Sequence, residues 1–141
     1  EAWAAVKEDP SLVRGAVAEA LRYEPSVAGI PRFTVADIEI GGFFVPKGVR
    51  LDLNTMSAMR DPDLYEAPDR FDIRRRDHPR LHAVFGLGPH RCIGEVLARL
   101  EMETSLAALI EGAPEIELET APEMIGFGGL RQITPMQVRI R

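Results

Sequence analysis

Phe85-Gly86-Leu87-Gly88-Pro89-His90-Arg91-Cys92-Ile93-Gly94 carries the only cysteine of the 141-residue chain, together with three of its twelve glycines and one of its three histidines. The spacing predicts a helix from Cys92 or Ile93 to Glu111. Ile93, Val96, Leu97, Leu100, Ala107 and Ile110 form one apolar stripe, Arg99 and Glu103 stand at i and i+4, and Gly112 offers a C-terminal stop. A cysteine in the first turn of such a helix lies where unpaired backbone N–H groups and the positive end of the dipole favour the thiolate. Gly86, Gly88 and Gly94 remove the side chains that would keep a flat ligand or a second backbone away, and Phe85 can shield the sulfur from water. A cysteine acting only as a small buried hydrophobe would not require those glycines.

Outward from this stretch, prolines and glycines divide the chain. Glu1 to Glu8 reads as the tail of a helix whose start is uncapped. Asp9 then offers an N-cap with Pro10 at the first helical position, and Val13, Ala16, Val17, Ala20 and Leu21 recur at helical spacing as far as Tyr23. Glu24-Pro25 ends that helix, because the residue before a proline disfavours helical geometry. Val27–Thr34, Ile38–Ile40, Phe43–Val45 and Val49–Leu53, with turns at Gly41-Gly42 and Pro46-Lys47-Gly48, predict one small antiparallel sheet. Leu53–Met59 suits one or two helical turns. Arg60–Leu87 has no sustained period, and a structureless stretch of that length tends to be functional. Beyond the long helix, Ile116–Leu118, Met124–Phe127 and Ile133–Ile140 read as short strands around the turn 126–129.

Composition narrows the classes. With 45% hydrophobic and 28% charged residues the chain has an ordinary globular balance, and one domain is expected. Seventeen Lys and Arg against 22 Asp and Glu give a net charge of -5, which argues against nucleic-acid binding and makes any anion site local. No apolar run approaches the ~20 residues of a membrane-spanning helix, so the expectation is a soluble, cytoplasmic chain without a membrane partner. One cysteine excludes an internal disulfide and a thiolate-only zinc site.

The chemistry-bearing residues concentrate between Arg70 and Gly94: six arginines (70, 74, 75, 76, 80 and 91), His78, His82, His90 and Cys92. A solvated basic loop accounts for the arginines alone. The glycine-flanked cysteine beside an aromatic ring asks for more, since these are the needs of a soft anionic axial ligand held under a large planar cofactor, as in a haem-thiolate site. A zinc-stabilised module built on His78, His82, His90 and Cys92 has the right ligand types but no recognised zinc spacing, and does not use Phe85 or the glycines.

FGLGPHRCIG resembles the haem-binding signature of the cytochrome P450 monooxygenases, F-x-x-G-x-x-x-C-x-G, with Phe85, Gly88, Cys92 and Gly94 in place. Other motifs follow in family order. Glu19-Ala20-Leu21-Arg22 resembles the E-x-x-R pair of helix K, and Ala58-Met59-Arg60-Asp61-Pro62 resembles A-N-R-D-P with Met59 in place of Asn. Pro68-Asp69-Arg70-Phe71 resembles the P-x-R-F element, and Leu97-Ala98-Arg99-Leu100-Glu101 the L-A-R-x-E of helix L. The resemblance implies a mainly α fold with small antiparallel sheets. Residues 1–141 would be the C-terminal part of a single such domain: helix K, β-sheet, meander, haem-binding loop, helix L and C-terminal strands.

Carried over residue by residue, the resemblance makes Cys92 the axial ligand of the iron of haem b. Phe85, Gly86 and Gly94 would line the cofactor, and Arg32 and His90 would hydrogen-bond its propionates. Glu19, Arg22 and Arg70, or Arg75 in place of Arg70, would form a structural triad. Val27, Ala28 and Ile30 with Ile125 and Phe127 would face substrate. Arg74, Arg75, Arg76, Arg80 and Arg91 would make a positive patch that steers an acidic ferredoxin or a flavin-type redox partner to the proximal face. The implied activity is insertion of one oxygen atom from dioxygen into a small apolar substrate, or, as an alternative, haem binding in a member of the fold without monooxygenase activity. The oxygen-activating helix I lies outside this sequence, so these residues are not expected to hydroxylate a substrate on their own.

Overall fold

Asp9 decides where the first two helices part. In the computed structural model, which describes residues 1–78, 83–113, 115–126 and 129–141, helix α1 (Ala2–Glu8) ends at this residue. The Asp9 carboxylate then accepts the Ser11 amide at 3.0 Å, and Pro10 opens a single 3-10 turn, Pro10–Leu12, before helix α2 (Val13–Tyr23). The sequence pattern joins that turn to α2, but the first true α-helical residue is Val13. Val13, Val17, Glu19 and Arg22 are buried along α2. Gly15 lets the later loop pass directly over this helix, since a Cβ there would overlap the Ile73 carbonyl oxygen.

The four strands that follow make two sheets where one was expected. Strand β1 (Gly29–Phe33) pairs antiparallel with β4 (Arg50–Asn54), with Arg32 opposite Leu51. Between them β2 (Ile38–Ile40) and β3 (Phe43–Val45) form a separate hairpin. Gly41 and Gly42 both have positive φ, +57° and +82°, the turn that matches the twist of paired strands. Thr34 joins the two sheets, its hydroxyl donating to the Pro46 carbonyl and accepting the Val49 amide. A short helix, α3 (Thr55–Ala58), is capped by Asn54, which accepts the Ser57 amide at 2.9 Å.

No α-helix or strand occurs among the described residues from Arg60 to Leu87, yet the segment is not loose. Tyr65, Ile73 and Val84 are buried, and so is Met59 just before them. The long helix α4 spans Glu95–Gly112 and contacts α2. It runs through Gly112 to cap at Ala113, so the anticipated glycine stop is not used; Pro114 disfavours helical geometry at the residue before it. Ile93, Val96, Leu97 and Leu100 of the apolar stripe are all exposed. Strand β5 (Ile116–Leu118) pairs with β8 (Val138–Ile140), and β6 (Met124–Ile125) with β7 (Gln132–Ile133). The stretch expected as one strand from Ile133 is thus broken around Pro135, which lacks the N–H a ladder needs. Helices and small antiparallel sheets together give the expected fold class.

Candidate active site

Cys92 lies three residues before the first residue of α4, outside the helix in which it was expected. Its amide donates to the Phe85 carbonyl at 2.8 Å, so the loop and not the helix takes that N–H. Two 3-10 turns, Ala83–Phe85 and Gly88–His90, fold the chain back to make this bond. Gly86 is the hinge between them: its φ of +72° suits glycine, and a Cβ there would come within 3.8 Å of the Ile30 side chain and the His90 carbonyl. The Cys92 thiol is exposed and lies against Gly94, the N-cap residue of α4, where a Cβ would sit 3.8 Å from Sγ.

The thiol opens on a cleft of about 350 Å³. Leu21, Val27, Ile30, Val84 and Phe85 supply apolar wall, while Arg32, His90 and Cys92 supply the polar groups. A soft donor, apolar walls and a guanidinium in one cleft suit a flat apolar metal complex that carries carboxylates. The structure therefore brings together Arg32, Phe85, Gly86, His90, Cys92, Val27 and Ile30. Ala28 points elsewhere, lining a second cleft with Arg50, Asp52 and Gly129, and Ile125 is an exposed residue of β6 outside the cysteine cleft. Phe127, Gly128, Arg80 and His82 lie outside the described residues.

Behind this cleft, Glu19 and Arg22 are both fully buried. All five N–H donors of Arg22 are occupied, two by Glu19 at 2.8 Å and three by the carbonyls of Met59, Pro68 and Arg70 at 2.7–3.0 Å. The second arginine on Glu19 is Arg75, with Nε 3.2 Å from Oε2. Arg70 supplies only its backbone carbonyl, and its side chain is 74% exposed beside Asp72. The turn closed by the Arg75 amide on the Asp72 carbonyl explains the exchange: with the Asp72 amide on Glu19, it brings Arg75 back over the carboxylate. Burial pushes the Glu19 carboxyl up, but the Arg22 hydrogen bond, the Asp72 amide and the charges of Arg22 and Arg75 outweigh it and hold the group below its usual value.

These contacts revise the positive patch. The Arg75 side chain is 5% exposed and engaged with Glu19 and Asp77, and Arg91 is tied to Gly86 and Glu95. Arg70, Arg74 and Arg76 remain at the surface. Among the described residues no group of three or more His, Cys, Asp or Glu side chains could hold a metal ion, and His82 of the zinc alternative lies outside them. His78 packs 3.6 Å from Glu19 and edge-on to the Tyr65 ring, whereas His90 and Cys92 line the cysteine cleft.

Three participants escaped the sequence-based argument. Tyr65 is buried under the guanidinium groups of Arg22 and Arg75, with Cζ 5.3 and 5.9 Å from the ring centre. Glu24 bridges Arg60 and Arg131, which are far apart in sequence. Glu95 pairs with both Arg91 and Arg99, displacing the expected Arg99–Glu103 pair, and Glu103 faces Arg14 instead. Only the last left a signal, the i, i+4 spacing of 91, 95 and 99.

A model of the family described as Cytochrome P450 matches residues 8–122, more than half of the chain. Cytochrome P450-pinF1, plant-inducible, of Rhizobium radiobacter is 42% identical over 139 residues, which cover 98% of this chain and 33% of that protein. The 20-oxo-5-O-mycaminosyltylactone 23-monooxygenase of Streptomyces fradiae is 40% identical over 119 residues, 84% of this chain and 28% of that protein. The solved structure of cytochrome P450 CREJ superposes with a TM-score of 0.94 at 35% identity, covering 100% of this chain and 35% of that one. The chain thus spans about a third of the length of the curated relatives it matches. On its cysteine loop, its buried Glu19–Arg22 pair and these likenesses, the chain belongs to the cytochrome P450 family.

Proposed function

We propose that these residues supply the cysteine-bearing side of a haem-thiolate monooxygenase, with Cys92 as the axial ligand of haem b. The observation that carries the proposal is the convergence of Cys92, Phe85, Gly86, Arg32 and His90 on one cleft from two separate parts of the sequence. The donor set fits the cofactor. Its one thiol is exposed to the cleft, Gly86 and Gly94 keep side chains off the loop, and the walls are apolar. Arg32 and His90 would hold the propionates. When bound, haem b supplies the iron at which dioxygen is reduced so that one oxygen atom passes to an organic substrate.

The protein's own part is to present the sulfur, keep water from it and fix the backbone around it. The Cys92–Phe85 backbone bond fixes the loop around the sulfur, and Gly94, the N-cap residue of α4, lets the sulfur lie close to the helix start. Val27 and Ile30, which line the cysteine cleft after α2, are the candidate contacts for a small apolar substrate. Electrons would come from a separate ferredoxin or flavin protein docking on the surface arginines, and the enzyme would work in the cytoplasm. No helix among the described residues is long and apolar enough to cross a membrane.

The test uses the complete enzyme. Its reduced, carbonyl-bound form should show the red-shifted Soret band of thiolate ligation, and Cys92→Ser should abolish it. An unchanged band in the serine variant would overturn the assignment.

A further inference from the structure

A ring of contacts closes around the Cys92 loop. The Cys92 amide is bonded to the Phe85 carbonyl at 2.8 Å, and the Arg99 guanidinium lies 5.1 Å from the centre of the Phe85 ring. Arg99 Nε donates to Glu95 Oε1 at 3.1 Å, and Glu95 Oε2 pairs with Arg91 Nη2. The ring is completed by Arg91 Nη1, which donates to the Gly86 carbonyl at 2.9 Å. Residues 91, 95 and 99 have the spacing of partners on a helix surface, but only Glu95 and Arg99 belong to α4. Arg91 stands in the loop, with φ -53° and ψ +139°. The same charge pairing therefore links loop to helix, and one guanidinium grips both the buried Gly86 and the first residue of α4. The Arg91, Glu95 and Arg99 side chains are 22%, 17% and 25% exposed, so salt screens them less than a surface pair.

We propose that Arg91 and Glu95 are positioning residues for Cys92, bracing the loop 85–92 on the first turn of α4 so that the sulfur is presented in one orientation. The proposal rests on Cys92 being the haem ligand. Neither side chain acts on the cofactor directly in this role; both act through the backbone of Gly86 and Cys92. Removing the Arg91 head group leaves the Gly86 carbonyl without its charged donor and Glu95 with one cation instead of two. The loop then keeps its backbone bonds, Cys92 to Phe85 and Arg91 to Gly88, and the Arg99–Phe85 contact, but lacks the charged brace from Gly86 to α4.

The experiment compares the haem-loaded complete enzyme with its Arg91→Ala, Arg91→Lys and Glu95→Gln variants. Three quantities are read: the rate of haem transfer to excess apomyoglobin, the fraction of the reduced carbonyl complex with the thiolate band, and the midpoint potential of the iron. Loss of a hydrogen bond to a charged group should speed haem loss in Arg91→Ala by about tenfold. Its carbonyl complex should divide between thiolate-bound and thiolate-free forms, and its potential should shift from that of the parent. Arg91→Lys keeps the charge but not the fork that reaches two acceptors, so it should recover less than half of the effect on a logarithmic scale. Glu95→Gln should fall between Arg91→Ala and the parent. If Arg91→Ala cannot be loaded, Arg91→Lys and Glu95→Gln carry the test. Parental haem loss, a single thiolate band and an unshifted potential in the variants would overturn the proposal, as would full rescue by lysine, which would assign the effect to charge alone. A parent without the thiolate band would overturn the ligand assignment, and this proposal with it; a parent with the band and unaffected variants would overturn only this proposal.

Discussion

Arg75 reaches back over the chain to the Glu19 carboxylate, with Nε 3.3 Å from Oε1 and 3.2 Å from Oε2, and its other nitrogens bind Asp77 and the carbonyls of Glu66, Ala67 and Arg70. One side chain thus gathers three turns of the 60–78 segment onto α2. Replacing Arg75 with alanine in the complete enzyme should cost about 1.5–3 kcal/mol, since the buried carboxylate loses a charge-assisted hydrogen bond but keeps Arg22. Arg70→Ala should cost less than about 1 kcal/mol, because that side chain is largely exposed and its carbonyl survives. Denaturant titration of both variants checks the contrast, and equal losses would return Arg70 to the triad.

Acid should loosen the same region in two steps. Glu19 is held below its usual 4.5, so its contribution is complete above that pH and drains away as pH falls below it. His78 is held below its usual 6.5, first by burial and further by the Arg75 and Arg22 charges, against the opposing pull of Glu19 and Asp77. The unfolded chain therefore takes up the proton more readily, and stability present above about pH 6.5 declines as pH falls from there. Melting temperatures between pH 7.5 and 5 should fall more steeply for the parent than for His78→Gln. Parallel curves would show that His78 does not contribute.

Gly15→Ala should destabilise by about 1–3 kcal/mol although alanine favours helix, because the new methyl collides with the Ile73 carbonyl rather than with a movable side chain. Amide exchange should rise in residues 72–77 before it rises elsewhere. A variant as stable as the parent would mean that the segment can lift from α2 without loss.

Charge reversal at Arg74 and Arg76 should slow reduction by an acidic protein donor and leave reduction by a small chemical reductant unchanged. The difference should shrink as ionic strength rises. Arg75 and Arg91 of the patch are left unchanged, since they are committed to Glu19 and to Glu95. Equal rates with the protein donor at low salt would remove the exposed arginines from partner docking.

The cysteine loop, the Glu19–Arg22 pair and the long helix were legible because each is written in consecutive residues with a fixed period or spacing. The partner of Glu19 was not: Arg70 and Arg75 are both arginines in one aperiodic stretch, and the choice between them falls to a backbone turn at Asp72. Tyr65 carries no local pattern that announces its place beneath two guanidinium groups. The exact start of α4 escaped for a similar reason, since the Cys92 N–H goes to Phe85, seven residues away, in preference to a helical partner. Local signals give element type; long-range bonds decide where the elements stop.

Gly129 and Gly29 are seated back to back. The Gly129 carbonyl accepts the Ala28 amide at 2.6 Å, Val27 bridges to Leu130, the Arg131 amide reaches the Ser26 carbonyl at 2.7 Å, and a Cβ on Gly129 would lie 2.7 Å from the Gly29 oxygen. Residues a hundred positions apart are therefore coupled as one packed unit. In recombination between relatives, a crossover anywhere between 32 and 122 would pair one parent's 26–30 with the other's 124–131, and two foreign halves would have to share a gap with no room for a methyl group. Libraries of such chimeras should be depleted of that class, and the survivors should take both segments from the same parent or carry glycine at 129 from either.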